Sequence, residues 1–177
     1  RVDPQWRGGV GLRLDDSAVV VDMQRFWSER IARWVDAGVA GFCVQWPQRL
    51  PRQLIGALMH EVPGCRFIAG AQGMDWADHE KLIGLDYDAA IGSSAFWDFR
   101  SSWFIDEQTS LSRVAPVIAV AEAPFEARVA QRFVRRDLAE RAARRIAQLA
   151  ARAGVGPGGS AAQLGQQPAR QRAGADA

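Results

Sequence analysis

Two carboxylates follow predicted strands, at positions where they could do chemistry. Asp98 follows the third predicted strand and Glu122 follows the fourth. A pair of carboxylates about 5 Å apart can cleave a glycosidic bond, because one attacks the anomeric carbon while the other protonates the leaving oxygen. The alternative interpretation is structural, with Asp98 capping a helix predicted to begin near Trp97 and Glu122 as a loop carboxylate. The sequence leaves both open, and we favour the structural one.

Three tryptophans lie near these carboxylates or follow another predicted strand. Trp46 follows the first predicted strand, and Trp97 and Trp103 lie in the segment after the third. The apolar face of a sugar ring can stack on an indole, so these three residues join Asp98 and Glu122 as candidate carbohydrate contacts. The alternative is that the indoles pack in the core or at an interface.

The other side chains that often carry chemistry are isolated along the chain. No cluster of His, Cys, Asp or Glu has metal-ligand spacing, so the sequence predicts neither a metal site nor a cofactor. His60 and His79 are expected at the surface of helices, and Ser93-Ser94 has no nearby histidine base for a hydrolytic triad. Cys43 and Cys65 are predicted at opposite ends of neighbouring parallel strands, which makes them buried thiols without a disulfide.

Short apolar runs and helical repeats alternate through the middle of the chain. The short runs are bounded by Gly or Pro and predict buried strands, whereas the segments between them have helical spacing. This alternation predicts an α/β fold with about four parallel strands and flanking helices, without distinguishing an open sheet from a barrel. No glycine fingerprint of a nucleotide site follows any strand. The predicted strands are 39–44, 66–69, 87–91 and 116–121, and the predicted helices are 15–38, 52–60, 76–83, 96–110 and 126–152.

Composition divides the chain into three predicted parts. Residues 1–14 form an N-terminal loop, residues 15–153 form the α/β domain, and residues 154–177 form a disordered tail with almost no large apolar side chains. The chain has neither a signal-peptide pattern nor an apolar run of about 20 residues, so we expect a cytoplasmic protein without a membrane partner. The net charge of +2 and the lack of an interleaved aromatic platform argue against a nucleic-acid partner.

Several segments match the motifs of a known family in the right order along the chain. The most specific match is residues 85–100, which resemble the family pattern G-F-D-Y-x-x-N-S-S-K-W-W-D-F-R. From about Leu14 to Phe133 the chain resembles the α-amylase superfamily, and within it the bacterial α-1,4-glucan:maltose-1-phosphate maltosyltransferases. The other matching segments are Phe26-Trp27 with Gly38, Gly41-Phe42, Phe67-Ile68-Ala69, and Ala115 to Ala119 with Glu122.

The resemblance implies a barrel enzyme, but the catalytic residue types are missing at the matching positions. Cys43 occupies the position of the family's arginine, Gln45 that of the nucleophile and Gly70 that of the acid. Pro124 and Phe125 occupy the positions of a histidine and an aspartate that grip sugar hydroxyls. A neutral amide is a poor nucleophile and glycine has no side chain, so the resemblance implies a catalytically degenerate relative.

The predicted domain is also too short for a complete barrel, which needs about 200–250 residues. The four strands correspond by resemblance to the fourth through seventh, which predicts half of a TIM-type barrel. Open edges and an exposed inner face favour a homo-oligomer or a partner chain. We expect a non-catalytic module that binds an α-glucan or maltooligosaccharide, or serves in assembly. The alternatives are an active glycosyltransferase or glycoside hydrolase with repositioned or borrowed residues, and a purely structural oligomerisation subunit.

Overall fold

The computed structural model describes residues 12–98, 100–122, 131 and 136–152. Helices and strands alternate from the first helix to the last, as the sequence predicts. The strands are β1 (Gly41–Gln45), β2 (Arg66–Gly70), β3 (Ala89–Ile91) and β4 (Val117–Ile118). The helices are α1 (Ser17–Asp36), α2 (Arg52–Glu61), α3 (Trp76–His79), α4 (Trp103–Ser112) and α5 (Arg136–Arg152). Short 3-10 turns lie at Pro47–Arg49, Glu80–Leu82 and Ser94–Phe96.

The four strands form one parallel sheet in the order β1-β2-β3-β4. Each strand therefore pairs with the next strand along the chain, and a helical segment crosses over between them. Such crossovers are required because parallel neighbours cannot be joined by a tight hairpin. The prediction of an α/β fold with four parallel strands and flanking helices is confirmed, and the arrangement is consistent with part of a barrel.

Helix α1 begins and ends at the residues that sequence signals indicate. Asp16 is its N-cap, and Asp16 Oδ1 accepts a hydrogen bond from the N–H of Ala18 at 3.0 Å. Beyond its last turn, Gly38 has a φ of 95°, a left-handed conformation that glycine adopts at little cost. The turn brings α1 back against the sheet, where the rings of Trp34 and Phe42 lie 5.8 Å apart.

The core lies between one face of the sheet and the helices that cross over it. Side chains alternate between the two faces of each strand, so every second residue points toward the helices. Apolar burial on that side is the main source of stability in a domain of this size. The buried residues of this face are Phe67, Ala69, Ala90 and Val117, and they cluster with Ile55 and Met59 of α2 and Leu111 of α4.

The helix predicted for residues 96–110 is wrong in its first half. Helix α4 begins only at Trp103. Asp98 Oδ1 accepts hydrogen bonds from the N–H groups of Arg100 and Ser101, both at 2.9 Å. Because a side chain satisfies these N–H groups, the segment forms a turn before the helix instead of the helix itself.

Strands β3 and β4 are much shorter than predicted, because side chains replace backbone partners at their ends. Strand β3 starts at Ala89 instead of Tyr87, since the N–H of Phe67 donates to Asp88 Oδ2 at 2.8 Å. Strand β4 ends at Ile118, and the N–H of Val120 donates to the hydroxyl of Ser94 at 2.8 Å. Strand β4 is therefore the shortest strand of the sheet, with two residues.

Parts of the predicted domain division lie outside the described residues. These parts are residues 1–11 of the N-terminal loop, residues 123–130 and 132–135 around the start of the long predicted helix, and the tail at 154–177. Helix α5 confirms the C-terminal part of the helix predicted for 126–152. In the part of the chain that the structure describes, no helix combines the length and hydropathy that a bilayer span requires.

Candidate functional site

The carboxyl ends of the four parallel strands meet at one edge of the sheet, which is where α/β folds place their ligand sites. The register aligns one residue from each strand in a row across this edge, on the face opposite the core. These residues are Gln45, Gly70, Ile91 and Ile118. The row contains one amide, no carboxylate and no titratable group. It therefore offers neither an acid nor a nucleophile.

The side chain of Gln45 fills the space beside Gly70. A Cβ atom added at Gly70 would lie 2.7 Å from Gln45 Oε1 and 3.0 Å from Gln45 Nε2, closer than real Cβ contacts allow. The same amide also donates from Nε2 to Cys43 Sγ at 3.2 Å. The Gln45 side chain thus lies against both of the other two positions that the resemblance assigns, Cys43 for the arginine and Gly70 for the acid, and none of the three residues carries a charge.

The two cysteines differ in their surroundings. Cys65 is buried, as predicted, whereas Cys43 is exposed, which corrects the prediction of two buried thiols. Cys43 reaches solvent because β1 is an edge strand and its side chain points away from the core. Desolvation raises the pKa of the Cys43 thiol by more than the hydrogen bond from Gln45 lowers it. The thiol is therefore neutral at pH 7 and cannot replace a guanidinium.

We expect the contact between Gln45 and Gly70 to appear as an energetic coupling. Gly70→Ala should change the free energy of unfolding little, because the flexible Gln45 amide can rotate away at the cost of its bond to Cys43. In a Gln45→Ala background the same change should stabilise the protein by about 0.5–1 kcal/mol, since glycine costs entropy inside a strand. Urea denaturation of the four variants measures the coupling, and additive effects would contradict the contact.

Both carboxylate oxygens of Asp98 already accept hydrogen bonds from the turn that follows it. Its Oδ1 atom accepts the two backbone N–H groups described above, and its Oδ2 atom accepts the hydroxyl of Ser101 at 2.7 Å. The backbone bonds from Ser101 and Arg100, followed by the bond from the Ser101 hydroxyl, lower the pKa of Asp98 to about 2. A carboxyl group with this pKa carries no proton to donate at neutral pH, so Asp98 is a poor general acid.

The remaining predicted carboxylate and its neighbours lie beyond β4. Glu122 is half-buried in the segment that follows this strand. Pro124 and Phe125, the residues at the positions of the family's histidine and aspartate, lie outside the described residues. The pairing of Glu122 with Asp98, which the sequence analysis does not favour, stays a hypothesis.

Two of the candidate tryptophans pack on the same buried phenylalanine. The ring of Trp97 stacks on Phe104 with centroids 4.5 Å apart, and Trp103 meets Phe104 edge-on at 6.3 Å. The indole N–H of Trp97 donates to the carbonyl oxygen of Ser101 at 2.8 Å. These contacts support the packing interpretation for Trp97 and Trp103. Trp46 is different, because it directly follows β1 in a left-handed conformation.

The serine pair Ser93-Ser94 connects three strand ends. The Ser93 hydroxyl accepts the N–H of Gly73, beyond β2, at 2.8 Å. The Ser94 hydroxyl donates to the carbonyl oxygen of Val120, beyond β4, at 2.7 Å and accepts the N–H of the same residue at 2.8 Å. The sequence predicts no hydrolytic role for this pair, and its contacts make it a clamp that fixes the loops around the candidate site.

Glu107 of α4 supports this serine pair through a hydrogen bond to Ser93. The sequence analysis does not identify Glu107 as a functional residue. It is 3% exposed, and its Oε2 accepts the N–H of Ser93 at 2.9 Å. Burial raises the pKa of Glu107, although the hydrogen bonds from the Ser93 side chain and backbone lower it. Helical spacing from Phe104 and Leu111 could have revealed Glu107, because residues at i, i+3 and i+7 share one face of a helix.

His79 is a second buried titratable group, and its position corrects a prediction. It is fully buried, whereas His60 is exposed as expected. Its Nδ1 atom lies 2.9 Å from the hydroxyl of Ser110, a contact that anchors α3 against α4. Burial lowers the pKa of His79 by more than nearby Asp78 raises it, so the ring is neutral at pH 7. Among the residues that the structure describes, no group of three or more His, Cys, Asp or Glu side chains could hold a metal ion.

One comparison with known proteins is informative. Over 147 residues the chain is 35% identical to the α-1,4-glucan:maltose-1-phosphate maltosyltransferase of Burkholderia pseudomallei (strain K96243). The match covers 79% of this chain but spans only 13% of the length of that protein. No protein-family model matches the chain, and no solved structure matches it. The chain is therefore related to this maltosyltransferase over most of its own length.

Proposed function

We propose that this chain, a relative of an α-glucan maltosyltransferase, forms a non-catalytic domain that binds carbohydrate or serves in assembly. The observation that supports the proposal is the row of residues at the strand ends. Gln45 and Gly70 occupy the positions that the resemblance assigns to the two catalytic carboxylates, and the amide of Gln45 fills the gap between them. Neither residue can donate a proton to a leaving oxygen or form a glycosyl ester.

The ligand class we propose is an α-glucan or a maltooligosaccharide. The relative's name states that it acts on an α-1,4-glucan and maltose 1-phosphate. A sugar-binding surface needs aromatic rings for the apolar sugar face and polar groups for hydroxyls. The candidate residues of these two kinds follow the strand ends along the chain, namely Trp46, Trp97, Asp98, Trp103 and Glu122. Binding by these residues does not need a catalytic pair.

An assembly role is a second candidate, because β1 is an edge of the sheet. Among the described residues, its partner on one side is β2, and no strand lies on its other side. Unpaired N–H and C=O groups along such an edge can bond to a strand from another chain. Light scattering at several concentrations, with and without maltooligosaccharides, distinguishes self-association from sugar binding by a monomer.

The competing function is that of an active enzyme whose catalytic carboxylates lie at positions other than those of the family. Asp98 would have to be one of them, but both of its oxygens already accept hydrogen bonds from the following turn. Its low pKa also removes the proton that an acid catalyst needs. This leaves Glu122 as the carboxylate whose removal tests the competing function.

We expect the purified chain to show no maltosyl transfer from maltose 1-phosphate and no hydrolysis of α-1,4-glucan. The physical reason is that a general acid and a nucleophile are both missing from the strand-end row. Release of phosphate and of reducing ends measures the two reactions. Glu122→Gln, which keeps the size of the side chain, is the control. Turnover that Glu122→Gln abolishes would show that the domain is an enzyme.

A further inference from the structure

Trp46 has an unusual backbone conformation at the candidate site. Its φ and ψ are 49° and 52°, and it is the only non-glycine residue with positive φ in the part of the chain that the structure describes. Side chains with a Cβ are strained in this left-handed region, and a bulky residue there is a genuine outlier. The following residue, Pro47, further disfavours a helical conformation at the residue before it.

The strain lies next to the Gln45 amide. Strand β1 ends at Gln45, so Trp46 is the first residue beyond the strand-end row. The space between β1 and β2 in that row is taken by the Gln45 amide against Gly70. Trp46 is therefore the first residue beyond this filled space along β1, where the backbone leaves the sheet.

The guanidinium of Arg49 lies near the indole of Trp46, and the residue remains partly accessible. The Trp46 residue is half-buried, and the guanidinium carbon of Arg49 lies 6.0 Å from the centroid of its ring. This distance is at the limit of a cation–π contact. The N–H of Arg49 also donates to the carbonyl oxygen of Trp46 at 3.0 Å, which closes the turn that contains the strained residue.

We propose that Trp46 is a stacking platform for one pyranose ring at the end of β1, and that its backbone strain is retained for this purpose. The proposal rests on the carbohydrate-binding function proposed above and assigns that function to one residue. Strained conformations persist where the surrounding structure fixes them, and they concentrate at ligand sites. Glycine would fit this turn without strain, so the presence of tryptophan indicates a role for its ring.

The alternative platforms are weaker. Trp97 already presents one face to Phe104, and Trp103 packs edge-on against the same ring. These two indoles stabilise the start of α4. A site with a single platform binds one sugar ring, so we expect affinity to depend little on oligosaccharide length beyond the ring that stacks.

The experiment compares substitutions of Trp46 in the full chain, with maltoheptaose as the probe in calorimetric titrations. Trp46→Ala and Trp46→Gly both remove the ring and should each weaken binding by about tenfold or more, whereas Trp46→Phe should lose less. Only glycine also relieves the strain, so Trp46→Gly should melt roughly 4 °C above Trp46→Ala. Trp76→Ala, which removes a tryptophan that is 51% exposed on α3, is the matched control and should bind as the unmodified chain does.

The outcomes separate this proposal from the function on which it rests. If the unmodified chain binds maltoheptaose and both Trp46 variants bind equally well, the platform is elsewhere and only this inference fails. If the unmodified chain does not bind maltoheptaose, the carbohydrate-binding function fails and the platform fails with it. Loss of binding in both variants, with the glycine variant more stable than the alanine variant, supports a strain retained for the ligand.

Discussion

Replacing Phe104 with alanine should lower the free energy of unfolding by about 3–5 kcal/mol, which is the usual cost of emptying a buried phenylalanine site. Phe104 is 1% exposed, and it is the ring on which Trp97 stacks and against which Trp103 packs. Its removal leaves a cavity that two rigid indoles cannot fill, so little of the cost should be recovered by relaxation. Guanidinium denaturation followed by circular dichroism measures the change.

Phe96→Ala is the matched control for this prediction. Phe96 lies in the connection that precedes α4, eight residues before Phe104, but it is 46% exposed. Its replacement should cost less than about 1 kcal/mol, because surface substitutions have small effects. Equal losses in the two variants would show that Phe104 is not the anchor of this segment.

Glu107→Leu should cost about 1–3 kcal/mol, because it leaves the buried N–H of Ser93 without its acceptor. The loss should spread to the loops around the strand ends, since Ser93 is also the acceptor for the N–H of Gly73. Glu107→Gln keeps an acceptor oxygen in place and is the matched control. Urea denaturation of the three proteins at pH 5 gives the comparison, and equal stability of the leucine variant and the unmodified chain would contradict the clamp.

The same two proteins, unmodified and Glu107→Gln, should also diverge with pH. Burial raises the pKa of Glu107, so the folded state holds the proton more tightly than the unfolded chain does. The stability that this proton contributes is complete below the ordinary pKa of a glutamate and is lost as the pH rises through the raised value. The glutamine variant has no such proton, so its stability relative to the unmodified chain should rise between pH 4 and pH 8. A constant difference across this range would contradict a raised pKa.

The strands and the parallel sheet could be predicted from the sequence, because the patterns that indicate them are local. Apolar runs bounded by glycine or proline specify buried strands, and helical repeats between them require crossovers. The residue at which α4 begins could not be predicted from the sequence in the same way. Its apolar spacing continues back to Phe96, but the carboxylate of Asp98 captures the N–H groups of Arg100 and Ser101. A single side chain that competes for backbone partners outweighs the periodicity there.

The sequence predicts where the candidate site lies in the fold, but it does not predict which side chains are in contact there. Strand ends could be inferred from the fold class, and Gln45 and Gly70 were identified by resemblance. The contact between these two residues depends on the register of β1 against β2, which no local pattern encodes. The burial of His79 depends likewise on how α3 packs against α4, and a polar residue on a short helix is ordinarily exposed.

The sequential strand order has a consequence for how such a chain assembles. Each strand bonds to the strand just before it, so the sheet can grow at one edge as successive strand–helix units arrive during synthesis. Among the four described strands none must wait for a distant partner, and each new unit adds its own helix to the shared core. An architecture of this kind is modular in the sense of a repeat protein, because units at its edges can be gained or lost while the remaining pairs keep their partners.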